Sequence, residues 1–308
     1  LGNIWIGTFN GLNRYNKSTG LFQNHTANDI QTDGLTHSSI WCIVKDNQGT
    51  LWLGTYFGGV NYFNPEYEIY TRYSYSSNEK KGLSNPVVGR TIEDKNGNLW
   101  IGTEGGGLNY YNRRTREFKW YRPQEGRNSI SHNNVKALYY DADKEIIWIG
   151  THLGGLNKLD IRSGHFTHYR MEGNNPQSLP SDIIRDITPY KDLLIATQNG
   201  VCLFNPANGQ CRQLFKDSKE GKSIKMVADV VFDSEGTLWI AATGEGVFSY
   251  RFDTRKLTNY RHDAANPNSL SNNNVNNITQ DSKGNLWFST SGSGLDLYRP
   301  ETNDFENF

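Results

Sequence analysis

Leu99-Trp100-Ile101-Gly102-Thr103-Glu104-Gly105-Gly106-Gly107-Leu108 decides the fold: a short apolar strand, then a glycine-rich turn into the next strand. The form recurs seven times, anchored on Trp5, Trp52, Trp100, Trp148, Leu194 (where Leu stands for Trp), Trp239 and Trp287, at spacings of 47, 48, 48, 46, 45 and 48 residues. A period near fifty assigns one supersecondary unit to each repeat.

Within a repeat, hydrophobic pattern and turn chemistry predict four short strands. In one copy these are Val135 to Tyr140, Ile146 to Thr151, Leu156 to Leu159 and His165 to Tyr169, rich in β-branched or aromatic residues. The connections Asp46-Asn47-Gln48-Gly49, Asp94-Lys95-Asn96-Gly97, Asp233-Ser234-Glu235-Gly236 and Asp281-Ser282-Lys283-Gly284 place Asp first and Gly fourth. That is the type I turn preference, in which the carboxylate bonds nearby backbone N–H groups. Asn205-Pro206-Ala207-Asn208-Gly209 and Arg162-Ser163-Gly164 read as hairpin loops between third and fourth strands.

Four-stranded antiparallel units of this size cannot bury both faces alone, and an open stack of them leaves edges exposed; a radial arrangement answers both demands. The predicted fold is therefore all-β, a seven-bladed β-propeller forming a single domain over residues 1–308. Tryptophans and the fourth-strand aromatics Phe22, Tyr70, Phe118, Phe166 and Phe305 are expected to pack between blades. The chain begins on the second strand of its first repeat and stops on the fourth strand of its seventh, which predicts 27 strands and a first blade lacking its innermost strand. The chain is accordingly expected to be a portion of a longer polypeptide, with a gap beside Trp5 or that slot filled by tag residues or a neighbouring molecule through strand addition.

Composition agrees with a strand-rich globule packed by Tyr and Trp: 35% hydrophobic, 13% aromatic and 21% charged residues, with two Met. No stretch approaches the roughly 18 apolar residues of a membrane span and no signal segment is present, so no membrane contact is expected of this portion. Acidic and basic residues number 32 each, which leaves no electrostatic footprint for nucleic acid. Of three cysteines, Cys42, Cys202 and Cys211, the last falls where other repeats carry Phe and reads as a small core residue. The predicted register sets Phe204 rather than Cys202 opposite Cys211, and the state of this pair stays open.

The full repeat reads Asp-x-x-Gly-Asn-Leu-Trp-Ile-Gly-Thr-x-Gly-Gly-Gly-Leu-Asn-x-Tyr, followed by Phe-x-x-Tyr and then Ser-Leu-Ser-x-Asn-x-Val. It resembles the two-component regulator propeller repeat, most closely over residues 91 to 111, 269 to 298 and 43 to 63, with degeneration in the fifth and sixth repeats. The resemblance implies the periplasmic sensor region of a Bacteroides-type hybrid two-component system. There, paired propellers precede a β-sandwich, a membrane span and kinase and regulator modules, dimerise, and detect oligosaccharides. A companion propeller, downstream domains of the same chain and a second protomer are thus the implied partners.

In a propeller the loops joining fourth to first strands and second to third strands share one face. On it are expected Phe9, Asn10, His37, Tyr56, Phe57, Glu104, His132, Asn133, His152, Gln198, Asn199, Glu245 and Asn273. Aromatic faces beside amide and imidazole groups suit a sugar; ordinary exposed loop residues are the alternative. Aligning the innermost strands on Ile40, Val88, Val135, Ile184, Val227 and Val275 brings Trp41, Lys136 and Arg185 to one level, with Arg90 at the next. Candidate ligand-binding residues are thus Trp41, Tyr56, Phe57, Arg90, Lys136, His152 and Arg185. Three cations on adjacent blades favour an anionic sugar, unless Asp186 and Asp229 neutralise them in an internal network.

No cofactor, metal or catalytic residue is assigned. His165 and His168 lie three apart on a predicted strand and point to opposite faces. Gly follows Asp by three positions where sialidase Asp boxes need two, and Ser293 lies in a hairpin turn rather than a nucleophile elbow. A propeller lyase using His132 or His152 as general base, and a non-catalytic interaction scaffold, are the alternative readings. The scaffold reading lacks the Trp-Asp dipeptide of WD40 repeats.

Overall fold

The computed structural model describes residues 3–27, 34–64 and 69–308. Seven antiparallel sheets follow one another along the chain, and the fold is an all-β, seven-bladed propeller. Among the described residues there are 27 strands, two single 3₁₀ turns and no α-helix. The first sheet has three strands, Ile4–Thr8, Gly11–Asn16 and Leu21–His25, and each of the other six has four. The fourth blade shows how closely the pattern dictates the elements: its strands are Val135–Asp141, Ile146–Thr151, Leu156–Asp160 and His165–Tyr169.

The chain divides into two compact units, Leu1–His168 and Tyr169–Phe308. In the first, Trp52 packs with Val88, Leu99, Ile101, Tyr111 and Phe118 of the following blade, and Trp100 with Val135, Ile147, Ile149 and Phe166 of the next. In the second, Trp239 packs with Val275, Leu286, Phe288 and Phe305. Each such indole contributes roughly 4 to 5 kcal/mol of apolar burial. Phe22 departs from expectation: half its surface is exposed, and it lies against Tyr15 of its own blade at 4.8 Å between ring centroids. The side chain expected at Tyr70 lies outside the described residues.

The Asp-x-x-Gly turns form as predicted, and the carboxylate does more than close them. Asp46 Oδ1 accepts from the backbone N–H of Gln48 and Thr50, while Oδ2 accepts from the Trp52 indole at 2.8 Å. The same Asp-to-indole bond recurs from Trp100, Trp239 and Trp287 to Asp94, Asp233 and Asp281, at 3.3, 2.8 and 3.0 Å. Turn and core tryptophan are thereby one hydrogen-bonded unit.

The glycines after the tryptophan have two separate causes. A Cβ on Gly58, Gly106 or Gly154 would collide with Thr36, Ser84 or Ser131 of the preceding loop, whereas Gly59, Gly107 and Gly155 take φ of +77, +80 and +71°. Close approach requires the first glycine of each pair; left-handed backbone requires the second, and at Gly59 and Gly107 a Cβ would also collide with the carbonyl oxygen of Tyr73 or Tyr121.

Candidate functional site

Six inner strands begin with an apolar residue, and each loses register just after it. In the second blade Ile40 pairs with Thr55 and Cys42 with Gly54, which leaves Trp41 bulged; Lys136 and Arg185 occupy the same place after Val135 and Ile184. A bulge inserts a residue without a ladder partner and re-aims its side chain. Within the first unit the second and fourth blades therefore offer a re-aimed side chain, Trp41 and Lys136, at the equivalent bulge, where the third blade has Gly89.

In the first unit the expected loops do come together. Tyr56 N–H donates to Ser39 O, Glu104 N–H to Val87 O, His152 N–H to Asn134 O and Gly107 N–H to Asn133 O, at 2.7 to 3.0 Å. Loops after second strands are thus sewn to loops before inner strands of the same and the following blade. The second unit repeats this between Gln198 and Ile183, and between Gly246 and Asn273.

On this framework five rings form a continuous series. Phe9 meets Trp41 edge-on at 6.1 Å, Trp41 stacks on Tyr56 at 5.3 Å and 16°, Tyr56 meets Phe57 at 4.3 Å, and Phe57 meets His37 at 5.9 Å. Phe9, Trp41 and Phe57 remain 71, 44 and 58% exposed. Large aromatics exposed together rather than singly mark a contact surface. Lys136 Nζ lies 5.9 Å from the Trp41 ring centroid and is paired with the Glu104 carboxylate. The platform therefore ends in a largely shielded ion pair without net charge, offering one donor group and one acceptor group.

Of the residues singled out from sequence, Trp41, Tyr56, Phe57 and Lys136 are brought together. Arg90 lies one blade along, close enough to Cys42 to favour its thiolate, although burial dominates and pushes that thiol up. His152 faces His132 at 6.5 Å between rings. Arg185 belongs to the second unit, on the bulge after Ile184. Asp229 accepts from Asn277 and from the Ile278 N–H at 2.8 and 2.7 Å, tying two inner strands together. Sequence reasoning placed Phe9 and Glu104 on this face without assigning them to the site. Their signal, a ring and a carboxylate in equivalent loops, is local, while their partners are Trp41 and Lys136, each 32 residues further along.

Fold and site together define a class, a blade-repeat propeller whose loop face carries an aromatic platform. The two component regulator propeller family model matches residues 34–57, 82–105, 129–152 and 269–292. No curated protein matches the chain significantly. Among solved structures, the extracellular domain of the putative hybrid two component system BT4673 from B. thetaiotaomicron is 23% identical with a TM-score of 0.64, covering 100% of this chain and 47% of that one. PorZ, a bacterial surface component of the type-IX secretion system of Porphyromonas gingivalis, is 18% identical at 0.62, covering 99% and 49%. A catalytically inactive virginiamycin B lyase from Staphylococcus aureus with quinupristin is 13% identical at 0.66, covering 92% and 87%. At these identities the likeness concerns the fold, and the chain spans about half the length of the first two of these structures. Among the described residues no helix is long and apolar enough to cross a membrane.

Proposed function

We propose that this chain is the ligand-sensing propeller of a hybrid two-component (histidine kinase/response regulator) system, that it lies in the periplasm, and that it binds an oligosaccharide on the platform of Phe9, Trp41, Tyr56 and Phe57. The observation that carries the reading is the exposed, contiguous ring series ending in the Lys136–Glu104 pair. Ring faces stack on the C–H surface of a sugar, and the paired ammonium and carboxylate exchange hydrogen bonds with its hydroxyls. Because Glu104 already compensates Lys136, an uncharged glycan suits this platform better than the anionic one that the cations alone would favour. The repeats and the likeness to the extracellular domain of a putative hybrid two component system support the signalling part.

In this reading the propeller is non-catalytic, and kinase activity, a companion propeller and a second protomer belong to the whole protein. Signalling is a population shift, limited by the ligand's differential affinity for two arrangements. The test is a thermal-shift screen with neutral, uronic and sulfated oligosaccharides, since a ligand bound only by the folded state raises the melting temperature. A neutral glycan is expected to raise it, and Trp41→Ala to weaken binding about tenfold or more. If no oligosaccharide moves the transition, the reading fails. Turnover of a glycan by the purified protein would replace it by a lyase acting through the His132–His152 pair.

A further inference from the structure

Blade five departs from its neighbours at two positions that face each other. Where the second, third and fourth blades bury Asn61, Asn109 and Asn157 on the third strand, this blade has Cys202; where others carry a fourth-strand aromatic, it has Cys211. The register pairs Phe204 with Cys211 and Cys202 with Gln213, so the cysteines are diagonal neighbours on one face of the hairpin. Both are buried, and their sulfurs stand 2.6 Å apart. That is well inside the separation two unbonded sulfur atoms keep, and a small side-chain rotation from the roughly 2.05 Å of an S–S bond. The strand bearing Cys211 spans only Cys211–Gln213, the shortest among the described residues, so few ladder bonds hold it.

We propose that Cys202 and Cys211 are joined by an intramolecular disulfide that ties this short outer strand to its blade. Two thiols are oxidised and one disulfide of the glutathione class is reduced. One cysteine thiolate attacks the oxidant and releases the first thiol; the second displaces the remaining thiol from the mixed disulfide, each cysteine proton passing to a released thiolate. Burial raises the Cys202 thiol, the adjoining Cys211 adds to the effect, and little thiolate exists once the blade has closed. The bond therefore forms while the hairpin is still open, and the folded blade then shields it. Cys42 lies in the other compact unit, beside Thr91, and serves as an internal control. Persistence of the bond in the cell rests on the extracytoplasmic location proposed above. Its formation in vitro does not, so the two can fail separately.

The experiment refolds the reduced, unfolded chain in a glutathione redox buffer, alkylates it under denaturing conditions and maps it by mass spectrometry. Cleavage after Lys191 and Arg212 leaves both cysteines on one peptide. That peptide should be lighter by two hydrogens and refuse the alkylating agent, Cys42 alone being modified, and after reduction all three thiols should react. A Cys42→Ser variant should give the same bridged peptide. Three modified thiols without reduction, glutathione adducts at Cys202 or Cys211, or bridges through Cys42 would overturn the proposal.

Discussion

One atom in a repeated side-chain latch gives the seventh blade a pH response. The third-strand amides of Asn61, Asn109 and Asn157 accept from the backbone N–H of Thr36, Ser84 and Ser131 and donate to the same residues' hydroxyls, at 2.8 to 3.0 Å. In the seventh blade the latch is Asp296, fully buried, accepting from Ser271 and Asn307. Burial pushes its carboxyl up, against the pull of those hydrogen bonds and of His262. The folded state therefore holds the proton to higher pH than the unfolded chain, and stability falls as pH rises through and above the ordinary carboxylate range. Asp296→Asn restores the amide of the other blades. It should stabilise the protein on the order of 1 kcal/mol at neutral pH and by markedly less near pH 3.5, as read from urea melts at both. An equal effect at the two pH values would contradict this account.

At the scale of the element, the type I turn and the following strand are joined through the indole. For Asp46 burial alone would raise the carboxyl. Hydrogen bonds from Trp52, Thr50 and Gln48 and the Arg113 guanidinium at 2.8 Å outweigh it and hold the group below its usual range. Its stabilisation is accordingly present above the ordinary carboxylate pKa and lost as pH falls through the lower folded value. Asp46→Ala should cost about 2 kcal/mol at pH 7, because it leaves a buried indole N–H and two turn N–H groups without their acceptor. The cost should shrink in melts carried out below about pH 3.5. A loss independent of pH would show that the turn's geometry, rather than its charge, is what matters.

For the whole molecule the balance of charge governs how a ligand arrives. With 32 basic and 32 acidic residues there is no net charge to steer association, and the platform's own cation is compensated by Glu104. The association rate constant of a charged probe, a uronic or sulfated oligosaccharide, should thus vary less than about threefold between about 20 and about 200 mM salt, where a steered encounter falls steeply. Stopped-flow tryptophan fluorescence measures this directly, since Trp41 lies in the platform. A steep fall would point instead to cations outside the platform.

The amino-acid sequence by itself determined the blades. Spacing of the tryptophans, the Asp-x-x-Gly turns, the strand limits in the fourth blade and the pairing of Phe204 with Cys211 were all legible, because each depends on alternation and turn chemistry within a few residues. Three-dimensional arrangement alone decided the rest. It decided the bulges that re-aim Trp41, Lys136 and Arg185, the compensation of Lys136 by a carboxylate from another blade, and the approach of two sulfurs on a diagonal of one hairpin. It also left Phe22 exposed where four-strand logic expected burial. A period records what each module must do to fold, whereas the partner a side chain finds depends on how neighbouring modules are packed.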